Sequence, residues 1–425
     1  MSGASSGTKL GLPTPGDVLG PLALQKRRVR LTGWRLAVLI AGLIALVSFV
    51  RIVTGAQQID SPGTIAAAIG FAIPICMAGL GGLWSERSGV VNIGLEGMMI
   101  LGTWGAGWAG TTYGPWWGLV VGSLMGGCGA VIHAIATVTF GVDQIVSGVA
   151  INLLGLGVTQ YLSTIVFPGQ PTQSPQIPAI GTFTLPVVSE WASSVSQQGW
   201  FFVSDCASIL RAITYNVPYT TFIAVALLPI TFFLLWRTAF GLRLRSCGEA
   251  PYAAESLGVN VYRYKYVAVI VSGCLAGFGG AVLATVLSGI YREGQTQGQG
   301  FIGLAAMIFG NWRVGGLASG SLLFGYTQAM QLRSGDAVHA LLLVIAIGLV
   351  IVGIWMLYRR QLSSAVTSFV IAGIVYLWYA TTETLPDQVA YVTPYVATLL
   401  VLSLASQRLR MPAADGRPYI KGQDH

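Results

Sequence analysis

The chain has 425 residues, 54% of them hydrophobic and only 9% charged, with a mean hydropathy of +0.69. Soluble domains carry about 25% charged residues, and here the apolar residues fall in long blocks between short polar breaks, so a secreted protein, a cytosolic enzyme and a disordered chain are excluded. The net charge of +8, from 23 Lys and Arg against 15 Asp and Glu, sits mostly at block ends, where it reads as membrane topology rather than a nucleic-acid surface.

Residues 1–33 are rich in Gly, Ser and Pro and then basic, which predicts a disordered cytoplasmic tail. The first apolar block starts late and lacks a small-residue cleavage site, so a cleavable signal peptide is not expected. Crossing a hydrocarbon core of about 30 Å takes about 20 apolar residues per helix. Full spans are expected at 34–53, 61–83, 97–112, 116–140, 144–166, 218–237, 266–289, 338–358, 363–381 and 390–406. The stretch 167–217 between the fifth and sixth spans is an external loop, opened by Pro168, Pro171, Pro175 and Pro178 and too irregular for a catalytic domain. Trp200, Phe201 and Phe202 within it suit the outer membrane surface.

The block 301–332 is different. Gly300, Gly303, Gly310, Gly315 and Gly316 break it, and Asn311, Trp312 and Arg313 interrupt its middle. It reads as a re-entrant pair of half-helices around a bend, entering and leaving on the same side, which lipid tolerates only inside protein or beside water. With that reading, Lys26–Arg35, Arg237–Lys265, Arg359–Arg360 and Arg408–Lys421 all fall on one face, cytoplasmic by the positive-inside rule. Both termini are then cytoplasmic, and 407–425 is a second tail.

Small residues recur every four positions in Gly102-Ala106-Gly110, Gly122-Gly126-Ala130 and Gly273-Gly277-Ala281, a spacing that lets helix backbones approach closely in lipid. The five cysteines are scattered without a CxxC pair, so neither a disulfide framework nor a metal site is signalled. No phosphate loop or HExxH motif occurs, the one G-x-S-x-G string (Gly3-Ala-Ser-Ser-Gly7) lies in the polar N-terminal tail where no strand-to-helix elbow is expected, and no cofactor is implied. His133 reads either as part of a proton path or as an ordinary hydrogen-bonded histidine. The apolar blocks are almost clean of acidic and other ionisable residues, the exceptions clustering at Glu86, Arg87 and Glu96 with Asp143 at the start of the fifth span, and the spans supply few groups for ion coupling. An external energy source is the simpler inference.

Two motifs carry the functional reading. In Arg243-Leu-Arg-Ser-Cys-Gly-Glu-Ala-Pro-Tyr-Ala-Ala-Glu-Ser-Leu-Gly258, Pro251 suits a helix's first turn, and Glu249 complements the positive end of its dipole. Ala250, Ala253, Ala254 and Leu257 form one small face, and Gly258 ends the helix. A short alanine-faced helix on the basic loop 238–265 suits docking into a partner's groove better than resting on lipid.

That segment resembles the coupling loop of ABC-importer permeases, with Ala253, Ala254, Glu255 and Gly258 at the corresponding places and Arg245, Gly248 and Glu249 leading into them. Glu86-Arg-Ser-Gly-Val-Val-Asn-Ile-Gly-Leu-Glu-Gly97 resembles the early signature of permeases that serve nucleoside, simple-sugar and branched-chain amino acid importers. Gly300-Phe-Ile-Gly-Leu-Ala-Ala-Met-Ile-Phe-Gly-Asn-Trp312 is similar to the later block of that family. The resemblance covers roughly residues 61–360 and implies a type II importer-like permease domain over 34–406.

It further implies a separate ATP-binding-cassette ATPase that consumes the ATP, a second permease (a hetero-pair), an extracytoplasmic substrate-binding lipoprotein and a plasma-membrane location. The Glu-Arg-Ser-Gly form points to a nucleoside as the small-molecule solute, with a simple sugar or a branched-chain amino acid as the alternative. Asn92, Glu96, Gln144, Asn152, Asn311 and Trp312 are the candidate solute-path residues, since amides both donate to and accept from hydroxyls and Trp312 offers a stacking face. For Asn92 and Glu96, bracing of a broken helix around Gly94 and Gly97 is an equal reading, and for Gln144 and Asn152 packing bonds between helices are the favoured one. A self-sufficient secondary transporter and a membrane-embedded enzyme are the competing classes, and each lacks visible residues for its chemistry.

Overall fold

The computed structural model of the protein describes residues 33–333, 335–382, 392 and 409–422. In chain order these form α1 (Gly33–Thr54), α2 (Pro62–Arg87), α3 (Leu95–Tyr113), α4 (Pro115–Ala134) with a π-helical turn at Ile135–Thr139, and α5 (Gln144–Val166). There follow β1 (Thr182–Phe183), α6 (Pro186–Ser196), α7 (Val203–Thr214), β2 (Val217–Pro218), α8 (Tyr219–Arg237), α9 (Ala239–Glu249) and α10 (Pro251–Ser256). Then come α11 (Val261–Val282) with a π-helical turn at Leu283–Ser288, α12 (Gln299–Phe309), α13 (Val314–Gln331), α14 (Gly335–Tyr358) and α15 (Leu362–Thr381).

Eight of the described helices are long and apolar enough to cross a membrane: α1, α2, α4, α5, α8, α11, α14 and α15. They coincide with eight of the expected spans. The expected span 97–112 is the 19-residue α3, whose glycines and threonines dilute its hydropathy and whose surface is largely buried among other helices. The expected span 390–406 lies outside the described residues apart from position 392, as does most of the 1–33 tail.

Helix starts follow local chemistry. Ser61 accepts the Thr64 N–H before Pro62, and Asp143 accepts from Ile145 and Val146, each satisfying donors that a helix leaves orphaned. The centre is built by α11 against α4, α2 and α3, and by α2 against α13 and α12. The three small-residue stripes meet there. A Cβ at Gly126 would lie 2.4 Å from the Gly273 carbonyl oxygen, one at Gly102 2.3 Å from that of Gly277, and one at Gly122 2.6 Å from that of Gly102. Backbone therefore touches backbone where α3, α4 and α11 cross, which is the contact that holds helices together without a hydrophobic driving force.

The block 301–332 forms two helices of unequal length, α12 and α13, with the bend between them at the bundle's end. Gly303 packs on Ile75 and Gly79, Met307 on Gly82, and Trp312 on Glu86, so α12 runs parallel to α2. α13 then returns antiparallel, with Gly325 against Ala68 and Ala72. Asn311 and Trp312 turn the chain with positive φ of 55° and 53°. This bend shares an end with the α9–α10 arm, called the arm end below.

At the opposite, loop end, residues 172–177 zip against 289–293: Ser174 N–H donates to Tyr291 O at 2.9 Å and Ile177 N–H to Gly289 O at 2.8 Å. Within 167–217, β1 pairs antiparallel with β2, and α6 packs on α7. These two amphipathic helices escape sequence reading because serines dilute their apolar faces. Their junction leans on α1, where Phe202 N–H donates to Ser48 Oγ at 2.8 Å. Trp200 and Phe201 are exposed beside the last turns of that span.

Candidate functional site

The loop between α2 and α3 is braced by side chains from several helices. Gly89 turns it with a φ of +84°, and residues of α4, α5 and α11 then hold it. The side chain of Asn92 accepts from Gly94 N–H at 3.1 Å and donates to Ser272 Oγ on α11 at 2.9 Å. Asn152 on α5 accepts from Gly97 N–H at 2.7 Å and donates to Ile93 O at 3.2 Å. Gln144 accepts from Val91 N–H at 2.6 Å, and His133 on α4 joins Val91 O at 3.1 Å to Ser147 Oγ at 2.9 Å. Buried backbone groups need such partners, and here side chains supply what a helix would otherwise supply.

Glu96 completes the brace. One carboxylate oxygen accepts Thr296 Oγ1–H at 2.7 Å and Gly298 N–H at 2.9 Å, and the other accepts Gly300 N–H at 2.7 Å. The carboxylate thus sits at the start of α12, where orphan N–H groups and the helix dipole both favour an anion. Asn92, Glu96, Gln144 and Asn152 are therefore brought together around one loop, with these polar atoms directed at protein partners. Asn311 and Trp312 are not with them. They lie at the arm end, where Trp312 Nε1–H donates to Glu86 Oε2 at 2.5 Å and Arg87 donates to Trp312 O at 2.6 Å.

The arm leaves α8 through Thr238, whose hydroxyl accepts Gly241 N–H at 3.1 Å and so starts α9. Gly248 lets α9 touch the end of α2, since a Cβ there would lie 2.4 Å from Arg87 O. Arg245 donates to Leu235 O at 2.9 Å and, with Arg87, covers the ring of Trp236. α10 begins at Pro251 and ends before Gly258, whose φ of +82° suits glycine.

The small face read from Ala250, Ala253, Ala254 and Leu257 divides in two. Ala254 is buried with Cys247, Val261 and Tyr419, while Ala250 and Ala253 are exposed and Leu257 is 85% exposed. Leu257 with Ala250 and Ala253 thus forms the outward side of the arm, and Ala254 its inward side. Glu255 is half-buried, and Glu249 accepts Ala413 N–H at 3.2 Å and faces Arg87 at 4.0 Å.

Sequence reading missed residues 409–422. They return to the arm end and bury Ala414, Asp415 and Tyr419 there. Asp415 is placed against Glu86, Lys265 and Arg87, and its carboxyl is pushed up to about 7, chiefly by burial, with the Glu86 contact and the neighbouring cations pulling the other way. Burial likewise lifts the Cys247 thiol to about 11. A signal available in sequence was the pair Tyr419 and Ile420, an aromatic and an isoleucine set among Asp415, Arg417 and Lys421.

Residues 64–352 match the family described as branched-chain amino acid transport system / permease component. The guanosine ABC transporter permease protein NupQ of Bacillus subtilis is 33% identical over 373 residues, covering 84% of this chain and 97% of that protein. The nucleoside ABC transporter permease protein NupC of Lactococcus lactis is 32% identical over 368 residues, with the same 84% and 97% coverage. A second Bacillus subtilis protein, the guanosine ABC transporter permease protein NupP, is 25% identical over 286 residues, 64% of this chain and 76% of its own. No solved structure gives a significant match.

Proposed function

This chain belongs to the branched-chain amino acid transport system permease family, and on that premise we propose that it is one permease subunit of an ABC importer that admits a nucleoside to the cell. It is a multi-pass membrane protein, and its relatives over nearly their whole length are named for guanosine and nucleoside transport. The observation that carries the reading is the arm: α9 and α10 are anchored on the end of α2 by Gly248, Arg245 and Trp236, yet present Leu257 outward. Such an arm suits a partner that pushes from outside the membrane. We assign the arm end to the cytoplasm, because Arg243, Arg245, Arg263, Arg359, Arg360 and Arg417 gather there.

In this reading the chain carries no ATP site and works as a type II importer half, with a separate ATPase docking on the arm and a binding lipoprotein delivering solute at the loop end. Similarity to two permeases of one organism, NupQ and NupP, supports a hetero-pair. The solute path runs along the exposed face of α5, which turns polar toward the loop end at Gln160, Tyr161 and Thr164. Lipid does not suit an exposed polar strip, whereas a facing permease and a hydroxyl-rich solute do. Asn92, Glu96, Gln144 and Asn152 then shape the path by fixing its wall, and Asn311 and Trp312 belong to the ATPase-facing end.

The test is uptake of radiolabelled guanosine by proteoliposomes holding the full transporter, with adenosine, ribose and leucine as competitors. Competition by adenosine alone supports the reading. Competition by ribose or leucine alone assigns the solute to a sugar or an amino acid and refutes the nucleoside reading.

A further inference from the structure

The proposed function gives residues 409–422 no role, although they touch α2, α9, α10, α11 and the α12–α13 bend at the arm end. Arg410 N–H donates to Asn311 Oδ1 at 2.8 Å, which fastens the segment to the α12–α13 bend. Ala413 N–H then donates to Glu249 Oε2 at 3.2 Å and Ala414 N–H to Gly248 O at 2.9 Å, which fastens it to the end of α9. Asp415 lies against Glu86 and Arg87 of α2 and Lys265 of α11. Tyr419 stands 5.3 Å from Tyr252 of α10 and 5.4 Å from Tyr262 of α11, centroid to centroid, with Lys265 Nζ 5.8 Å above its ring.

We infer that residues 409–422 are a strut of the coupling machinery: they tie the arm to α2 and to the α12–α13 bend, so that a push on α10 moves the membrane helices instead of bending the arm. The inference rests on reading α9 and α10 as the ATPase-docking arm. α10 is six residues long and packs chiefly on its chain neighbours α9 and α11, so by itself it is a weak lever. Tyr419 is the part of the segment that reaches it, closing over the same cluster as Ala254, Cys247 and Val261.

The contacts beyond the strut are continuous. Glu86 and Arg87 hold Trp312, the Trp312 bend ends α12, and the start of α12 is capped by Glu96, in the first turn of α3 beside the braced loop. An arm displacement transmitted through the strut thus has a packed route to the wall of the proposed path. Tyr419 and Asp415 are positioning residues in this account, since neither meets solute or nucleotide.

The experiment uses the whole transporter, permease pair, ATPase and binding protein, in proteoliposomes, with guanosine as the probe and uptake and ATP hydrolysis measured together. Tyr419→Ala is expected to lower guanosine moved per ATP hydrolysed at least about fivefold, the scale of two lost ring contacts, while the ATPase still co-purifies and still hydrolyses. Tyr419→Phe keeps the rings and is expected to retain wild-type coupling. Amide exchange across 251–258 should quicken in Tyr419→Ala and not in Tyr419→Phe, a readout that a general loss of stability would not confine to α10. If Tyr419→Ala does not assemble, Asp415→Ala replaces it with the same expectation of loosened coupling.

An unchanged uptake-to-hydrolysis ratio in Tyr419→Ala and Asp415→Ala overturns the strut. So does loss of the ATPase from either complex, which would make the segment a docking surface instead. Leu257→Asp tests the arm separately: if that variant keeps its ATPase and its uptake, the reading of α9 and α10 fails, whatever Tyr419 does.

Discussion

Glu96, in the first turn of α3, accepts the backbone N–H of Gly300, in the first turn of α12, at 2.7 Å across 204 residues of chain. The same carboxylate takes Thr296 and Gly298, so one side chain fixes where the broken segment starts. Hydrogen bonds to a charged, buried acceptor are worth about 1.5–3 kcal/mol each and are not additive, so Glu96→Ala is expected to cost about 3–5 kcal/mol. Glu96→Gln keeps one acceptor oxygen and should cost about half as much. Thermal unfolding in detergent reads the order, and an equal melting temperature for wild type and Glu96→Ala would remove the brace from the account.

At the loop end Arg51 lies between two carboxylates, 3.3 Å from Asp60 and 3.2 Å from Asp205. Burial and the neighbouring Asp205 raise the Asp60 carboxyl from 3.8 to about 8, and Arg51 pulls it the other way. The folded protein therefore keeps a proton that the unfolded chain has released above pH 3.8. Stability from this group is full below that pH and is lost as pH rises through about 8. The melting temperature should fall between pH 5 and pH 9, and Asp60→Asn should flatten the fall. At neutral pH Asp60 keeps its proton, so Arg51→Ala leaves Asp205 as the buried carboxylate without its cation and should cost about 3–5 kcal/mol.

The two apolar residues of α10 should behave differently when charged. Leu257 is 85% exposed, so Leu257→Asp should leave the fold intact and abolish capture of the ATPase. Ala254 is 3% exposed beneath Tyr419, so Ala254→Glu buries an unpaired charge and should loosen the arm before any partner arrives. Co-purification with the ATPase, alongside a melting curve for the permease alone, separates the two. Equal loss of stability in both variants would contradict the division of this helix into an inner and an outer face.

Much of this architecture was legible in the sequence. Long apolar blocks marked eight spans, because lipid imposes a minimum length on any helix that crosses it. The glycine stripes announced close packing, and the structure pairs them with one another. Pro251 and Gly258 bounded the arm helix correctly to within two residues. What stayed hidden was depth and distance.

Asn311 and Trp312 look like path residues in a list of polar groups, but the parallel run of α12 beside α2 carries them to the arm end. Glu96 and Gly300, or Asp415 and Glu86, are joined by the fold alone, and no periodicity links positions so far apart. The amides of Asn92, Gln144 and Asn152 have bonds inside the brace. Nothing in residue type distinguishes an amide that holds a loop from one that holds a ligand.

The central claim is that this permease is driven by a partner ATPase acting through the arm. Guanosine uptake should therefore be measured in proteoliposomes containing the permease pair and binding protein, with the ATPase and ATP present or the ATPase omitted. The account predicts concentrative uptake with the ATPase and none without it, under any imposed proton or sodium gradient. Accumulation of guanosine in vesicles that lack the ATPase would contradict it.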